Sequence, residues 1–387
     1  MGLAPRTHSE EQWLRVNGYL SANRHDLALR AARDYPAAAR VSGTPLLAGP
    51  AWLPPAPVPL QAIRLEFQPE APPPAVLELA SIAPYALPER ADGHRYHRFS
   101  DVIAALAAPA IWQNRTTYRL LSADLADPSG PRLVFGRGRF FDGVDAGGPA
   151  GHEYAAWRLG LATSRAFREA LGDPFAPAAL DRRSAAMATS ALTLRYDRAA
   201  GTVTFPLHRR DPARVSHAGG MHSVIPVGIF QASADTADDE ANDFDLWRGL
   251  LREYAEELLG ADEEHSSYRS AAAGAGELGT IDYTAWPLAK AMTDGLADGS
   301  VRAWCLGLGA DPLTFAMDLL AVVVIDAPLY DDLFGAAVAD NAEGQVISPR
   351  PFAERPVREL LASAPFQAAG EALLTLALTH REALLAR

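Results

Sequence analysis

The chain has 387 residues, of which 49% are hydrophobic, and a formal net charge of -12, so it can form two compact domains or one elaborated domain. This acidic balance argues against direct nucleic-acid binding, because phosphate contacts require clustered lysine and arginine. The longest apolar stretch, Leu319 to Ile325, is far shorter than the roughly 20 residues of a membrane helix, and the single cysteine, Cys305, excludes an intrachain disulfide. We expect a cytoplasmic protein without a membrane segment.

The first half of the chain predicts helices, connectors and a hairpin. Apolar residues at helical spacing before and after a polar break predict a helical hairpin within residues 1–48. Residues 49–184 are predicted to form an α/β region that begins with proline-rich connectors. Within it, two alternating runs flank Asp127–Gly130, which has the residues of a hairpin turn. A glycine-rich turn after Asp142 then leads to a predicted helix that contains His152.

The second half of the chain predicts more strands and two further helical segments. Alternating runs at 191–196 and 202–208, followed by 223–228, predict strands. An acidic loop and an amphipathic helix come next. A last amphipathic pattern, within residues 363–387, predicts a closing helix that packs on the body or on a dimer partner.

The helix after the acidic loop carries the sequence R-E-Y-A-E-E from Arg252 to Glu257. On a helix, positions i, i+3 and i+4 share one face, so Glu253, Glu256 and Glu257 project together. Three like charges this close repel one another, and a divalent cation would neutralise them. The alternative is an ordinary solvated face, since glutamate-rich amphipathic helices are common.

This helix resembles the metal-binding helix of Nudix proteins, whose pattern is a glycine, five residues, a glutamate, seven residues and then R-E-U-x-E-E-x-G-U, with U an aliphatic residue. Arg252 and the three glutamates match. Strict spacing puts Asp238 at the glycine and Phe244 at the first glutamate, so the first half of the pattern is not met. Gly228 supplies the glycine only if residues 232–243 are an insertion, and Gly260 comes one residue late.

The resemblance implies Mg²⁺- or Mn²⁺-dependent hydrolysis of a nucleoside-diphosphate-linked or related diphosphate. By it, Glu256 and Glu257 are metal ligands, Glu253 is a ligand or base, and Arg252 orients a glutamate. Four further residues are expected at the substrate because of where they lie in the sequence. They are Arg209 and Arg210 for phosphate, His222 for ligand contact and Glu343 as a general base in a late loop.

We therefore expect an α+β protein with a Nudix-like mixed sheet flanked by helices at residues 185–362. Several segments also resemble the body of actinobacterial proteins described as helix-turn-helix regulators, among them Trp112–Arg115 and Phe230–Gln231. That second resemblance favours a rival function, a non-catalytic ligand-sensing or regulatory module. In either case the expected partner is a small phosphorylated ligand, and a homodimer is compatible with the closing helix.

Overall fold

A computed structural model of the chain describes residues 6–74, 77–172, 180, 182–211, 219–262, 265–271, 278–335, 337, 339–341 and 344–386. The secondary structure of these residues mixes helices with strands throughout. The helices are α1 His8–Ala22, α2 Arg24–Ala32, α3 Leu79–Ile82, α4 Phe99–Leu106, α5 Phe140–Arg158, α6 Ala166–Leu171, α7 Ala237–Asn242, α8 Leu246–Leu259, α9 Pro287–Asp298, α10 Ala327–Phe334, α11 Glu354–Ser363, α12 Ala368–Thr379 and α13 Arg381–Leu385. Among these helices, none is long and apolar enough to span a membrane.

The strands form a large sheet and two small ones. They are β1 Val58–Pro59, β2 Arg64–Phe67, β3 Thr116–Asp124, β4 Arg132–Arg139, β5 Met187–Asp197, β6 Thr202–Arg210, β7 His222–Ser223, β8 Val227–Ile229, β9 Arg269–Ala271, β10 Leu278–Ile281, β11 Val301–Ala310, β12 Met317–Asp326 and β13 Gly344–Pro351. The large sheet has the order β1-β11-β12-β5-β6-β13. Its β5–β12 pair is parallel and its other pairs are antiparallel, so the predicted α+β class with a mixed sheet is confirmed.

Strands β5 and β6 pair only where they meet at the hairpin, through residues 195–197 and 202–204. Beyond that point they separate, and the next segment of the chain lies between them. In this gap β8 pairs with residues 188–190 of β5, while β7 pairs with the end of β6. The sheet therefore opens towards the end at which β5 and β12 begin.

Helices cover both faces of the large sheet. Because side chains alternate along a strand, Thr193 of β5 faces α8, where its hydroxyl lies 2.8 Å from the hydroxyl of Tyr254. Helix α12 buries Ala369, Leu373 and Leu374 and contacts β5, β11 and β12. The predicted closing helix is divided at His380 into α12 and α13.

The N-terminal region is joined to the large sheet at its edges. Strands β2, β4 and β3 form a three-stranded sheet, and β1 pairs with β11. Helices α1 and α2 lie within the predicted helical hairpin. The domain limits at residues 48, 184 and 362 stay predictions.

The prediction of a glycine-rich turn before His152 is wrong, because α5 is already helical from Phe140. Its glycines allow close packing that a side chain would prevent. A Cβ atom at Gly147 would lie 2.6 Å from the carbonyl oxygen of Thr314, and one at Gly148 would lie 2.5 Å from the ring of Phe99. Tertiary packing therefore overrides the low helix propensity of glycine here.

His152 is buried in a satellite core between the N-terminal helices and α5. Its ring is stacked 5.3 Å from that of Trp13 and lies 5.8 Å from that of Phe99. Burial lowers the pKa of His152 from 6.5 to about 4, because the apolar surroundings disfavour the charged ring. The folded protein therefore holds this histidine neutral.

We predict that acid destabilises the protein partly through His152. Its folded-state pKa is below the unfolded value, so the contribution to stability is present above pH 6.5 and is lost as the pH falls towards about 4. The free energy of unfolding should drop by roughly 2 kcal/mol between pH 7 and pH 5 from this group. Urea unfolding at both pH values should show a smaller drop for His152→Phe than for the exposed control His94→Phe. Equal drops in the two variants would contradict the assignment.

Candidate functional site

Helix α8 has clear ends. The side chain of Asp245 accepts a hydrogen bond from the backbone N–H of Arg248 at 3.0 Å and caps the N-terminus. Gly260 ends the helix in the left-handed conformation, with φ at 69°, where glycine carries no steric cost. The glycine that comes one residue late for the Nudix pattern is thus the residue that stops this helix.

Glu253 lies against strand β8. A Cβ atom added to Gly228 would overlap the Glu253 carboxylate, at 1.8 Å from its carbon. The Glu253 carboxylate can occupy this position because residue 228 has no side chain. The early glycine of the pattern has a steric explanation in this structure.

Glu257 and Glu256 turn to different partners. Glu257 is 3% exposed, and its Oε1 accepts the backbone N–H of Val227 at 2.7 Å while its Oε2 lies 3.5 Å from Nδ1 of His208. Burial, with help from Arg210, lowers the pKa of His208 to about 4, so this pair is not an ordinary ion pair at neutral pH. Glu256 instead lies 2.9 Å from Nε2 of the buried His265.

Arg252 lies in a buried polar network rather than beside a helix glutamate. Its Nη1 donates to the hydroxyl of Tyr283 at 2.6 Å and lies 3.3 Å from Asp243, and its Nη2 donates to the carbonyl of Gln231 at 2.5 Å. The Tyr283 hydroxyl in turn donates to Asp243 at 2.7 Å. Burial opposes the charge on Arg252, but Tyr283 and Asp243 outweigh it and raise its pKa. Burial likewise opposes the ionised form of Asp243, and Arg252 nevertheless holds the pKa of that carboxyl low.

The acidic segment before α8 is fixed by arginines. Asp239 lies 2.8 Å from Arg269, and Glu240 accepts two-pronged hydrogen bonds from Arg137. Bidentate pairs of this kind are geometrically specific. Two adjacent carboxylates in the first turn of α7 are therefore each held by an arginine.

The three glutamates of α8 do not all face the same surface. Glu253 and Glu257 lie against β8, whereas Glu256 points to His265. Across the described ranges, no three histidine, cysteine, aspartate or glutamate side chains form a group that could hold a metal ion. As arranged, the donor set does not fit a divalent cation. His265, Asp243 and Tyr283 had no sequence signal, since they come from separate loops.

The other predicted site residues are dispersed. Arg209 is exposed and Arg210 is 8% exposed, so adjacent positions of β6 have opposite environments. The ring of His222 stacks 5.5 Å from that of Phe366, and burial lowers its pKa. Glu343 lies outside the described residues.

A cavity of about 250 Å³ opens where β5 and β12 begin. Ala188, Val227, Gly228 and Ile229 all line it. Residues 188, 227 and 229 alternate along the strands with Thr189 and Gly228, and a Cβ atom at Gly228 would point to Glu253 of α8. The cavity therefore lies on the other side of β5 and β8 from the glutamates. The remaining walls come from α1, α2, α4, α5, β6, β12 and the start of α12. Their side chains include Leu20, Arg24, Phe99, Ile103, Trp112, Phe140, Val144, Arg210, Asp318 and Gln367.

The buried polar groups of this cavity are unusual for an apolar pocket. Arg24, Arg210, Asp318 and Gln367 are each less than 10% exposed. Asp318 accepts a hydrogen bond from Ser190 at 2.9 Å, and burial raises its pKa to about 6. Convergent polar groups in an apolar cleft are typical of a small-molecule site.

Comparisons with known proteins give similarity in fold alone. No family model and no curated protein matches the sequence. A MutT/Nudix family protein from Listeria innocua is 16% identical, with 53% of this chain and 100% of that chain covered at a TM-score of 0.28. For a Nudix hydrolase from Alicyclobacillus acidocaldarius the identity is 17%, with 50% of this chain and 90% of that chain covered at a TM-score of 0.25. Both TM-scores are low, so the functional case depends on the geometry of this chain.

We predict that Arg252→Met strongly destabilises the protein, because it leaves Asp243 buried without its cation. Breaking a buried pair by removing one partner costs about 3–5 kcal/mol. The matched control is Arg355→Met, which removes an exposed pair with Glu359 and should cost less than about 1 kcal/mol. Urea unfolding of both variants measures the difference. If Arg252→Met lowers the free energy of unfolding no more than Arg355→Met does, the buried network around Arg252 does not stabilise the fold.

Proposed function

We propose that the protein is a small-molecule-binding module on a Nudix-like scaffold, in which the glutamate helix serves the fold and the cavity serves function. The cavity carries this proposal, because it combines apolar walls with four buried polar side chains. Burying polar groups has a free-energy cost unless they find partners. Among these four side chains, Gln367 has an Oε1 atom without a hydrogen-bond partner in the structure, and a bound ligand would supply one.

The placement of the glutamates supports the same assignment. Glu257 holds the backbone of β8, Glu256 pairs with His265 and Arg252 holds Asp243. Each of these contacts stabilises the packing of α8 against β8 or against the neighbouring loops. These contacts explain why the glutamates and Arg252 are present even if the protein hydrolyses no substrate.

Mg²⁺- or Mn²⁺-dependent hydrolysis of a diphosphate is the second candidate. It is favoured by the R-E-x-x-E-E sequence and by the position of Glu253 and Glu257 side by side against Val227 and Gly228. A metal bound there would lower the pKa of a bound water and neutralise phosphate charge. It would require the carboxylates to leave the partners that they have in this structure.

Turnover assays separate the two candidates. The panel consists of ADP-ribose, nucleoside diphosphate sugars and dinucleoside polyphosphates, each with Mg²⁺ and with Mn²⁺. We expect no product above the rate without protein, and we expect Glu257→Gln to behave as the parent. Metal-dependent turnover that Glu257→Gln abolishes would overturn the binding-module assignment in favour of hydrolysis.

Blocking the cavity tests the binding site itself. Ala188 lines the cavity, so Ala188→Leu should fill part of it, whereas Ala199→Leu adds the same volume in an exposed turn. The probes are the ring compounds benzoate, benzyl alcohol and indole. We expect calorimetry to show that at least one of them binds both the parent and Ala199→Leu. Ala188→Leu should weaken those binders at least tenfold. Equal affinities in the two variants would place binding elsewhere and reject the cavity.

A further inference from the structure

We infer that the cavity selects a monocyclic organic acid with one carboxylate and a hydrogen-bond donor elsewhere on the molecule. This inference rests on the proposed function and names the ligand class of the same site. It differs from the diphosphate that the resemblance of α8 implies. This ligand class is favoured by the size of the cavity, its arginines, its unpaired amide oxygen and its carboxylate.

The volume limits the ligand to about one ring with substituents. An apolar cavity of about 150 Å³ holds benzene, and this cavity has about 250 Å³. Sites for drug-sized ligands begin at roughly 300 Å³. The space inside the cavity therefore suits a substituted six-membered ring. The flat walls that Trp112, Phe140 and Phe99 provide suit such a ring.

Two arginines give the cavity its preference for an anion. Arg24 and Arg210 both line it, and their charges are close enough that Arg210, after burial itself, contributes to the lowered pKa of Arg24. Arg24 is also the first residue of α2, where the helix dipole disfavours a positive charge. Asp311 lies 3.6 Å from Arg24 and offsets part of the unfavourable environment of the Arg24 charge. A carboxylate bound between the arginines would relieve both effects, and its two oxygens suit guanidinium geometry.

Gln367 favours a ligand that carries a hydrogen-bond donor. Its side chain is 6% exposed, lines the cavity and leaves Oε1 without a hydrogen-bond partner in the structure. Although Gln367 is the residue before α12, its side chain makes no capping bond to that helix. A buried acceptor left unpaired costs about 1–3 kcal/mol, so a ligand hydroxyl or amine at this position would be favoured.

Asp318 argues for a carboxylate over a phosphate. It lines the same cavity and is buried beside Ser190. A phosphate monoester carries nearly two negative charges at neutral pH, and it would therefore meet stronger repulsion from Asp318 than a singly charged carboxylate. The inferred ligand is consequently a monoanion of the hydroxybenzoate type.

Calorimetric titration of the full chain tests this ligand class with matched probes. We expect benzoate to bind at least tenfold more tightly than benzamide and more tightly than phenyl phosphate. At least one of the three hydroxybenzoate isomers should bind more tightly than benzoate. These comparisons use the unmodified protein, so they do not depend on the folding of any variant.

Substitutions then assign each preference to a side chain. Arg210→Met should reduce benzoate affinity at least tenfold, while the exposed neighbour Arg209→Met should leave it unchanged. Gln367→Met should remove the advantage of the best hydroxybenzoate and retain benzoate binding. The inference is overturned if benzoate does not bind, if benzamide binds equally well, or if Arg209→Met and Arg210→Met behave alike. Neutral probes that bind, with Ala188→Leu blocking them, would leave the binding module in place and reject only the acid.

Discussion

The contact between Arg252 and Asp243 fixes the half of the molecule that contains the glutamate helix. Through Tyr283 and the carbonyl of Gln231, the same guanidinium joins α8 to the acidic segment, to the chain after β8 and to the loop before α9. A buried charge of this kind tolerates few arrangements, since each partner is costly to lose. The helix is therefore held in one rotation about its axis, and that rotation determines which surface each glutamate meets.

Once the rotation is fixed, the separate contacts of the carboxylates follow from helical geometry. Glu256 and Glu257 are adjacent and lie roughly 100° apart around the axis. One therefore reaches His265 beside the helix, while the other reaches the backbone of β8. Glu253 shares the side of Glu257 and requires the bare Cα of Gly228. A sequence pattern that suits metal binding thus also suits close packing of a helix on a strand.

Local patterns predicted the fold class and several elements, among them β3 to β6 and α8, because periodicity is a local property. The α8 helix was evident from its apolar stripe. The helical glycines of α5 were not predictable, because their reason is the approach of Thr314 and Phe99, which are distant in sequence. The partners of Glu256 and Arg252 were hidden for the same reason. His265, Asp243 and Tyr283 come from three separate loops, and only the tertiary fold brings them together.

The cavity was the least predictable feature, since its charged residues come from α2, β6 and β12 and its amide from the start of α12. Arg210 was foreseen as an anion contact, but with a phosphate beside α8. Its position at the end of β6 instead turns it to the opposite side of β5 and β8, with Arg24. In the site that we propose, Arg210 would keep the role of an anion contact at a different place in the fold.

The glycines of α5 have a consequence for how such a site diverges among descendants. Position 147 is closed to change, because a Cβ atom there would collide with the Thr314 carbonyl. Position 143 is open, since its Cβ atom would meet Ser184 and Ala186 at ordinary contact distances of 3.6 and 3.7 Å. One wall of the cavity thus has a fixed point and an adjustable one. Under the proposed binding function, a substitution at residue 143 would change the size of the accepted ligand without disturbing the helix packing that residue 147 maintains.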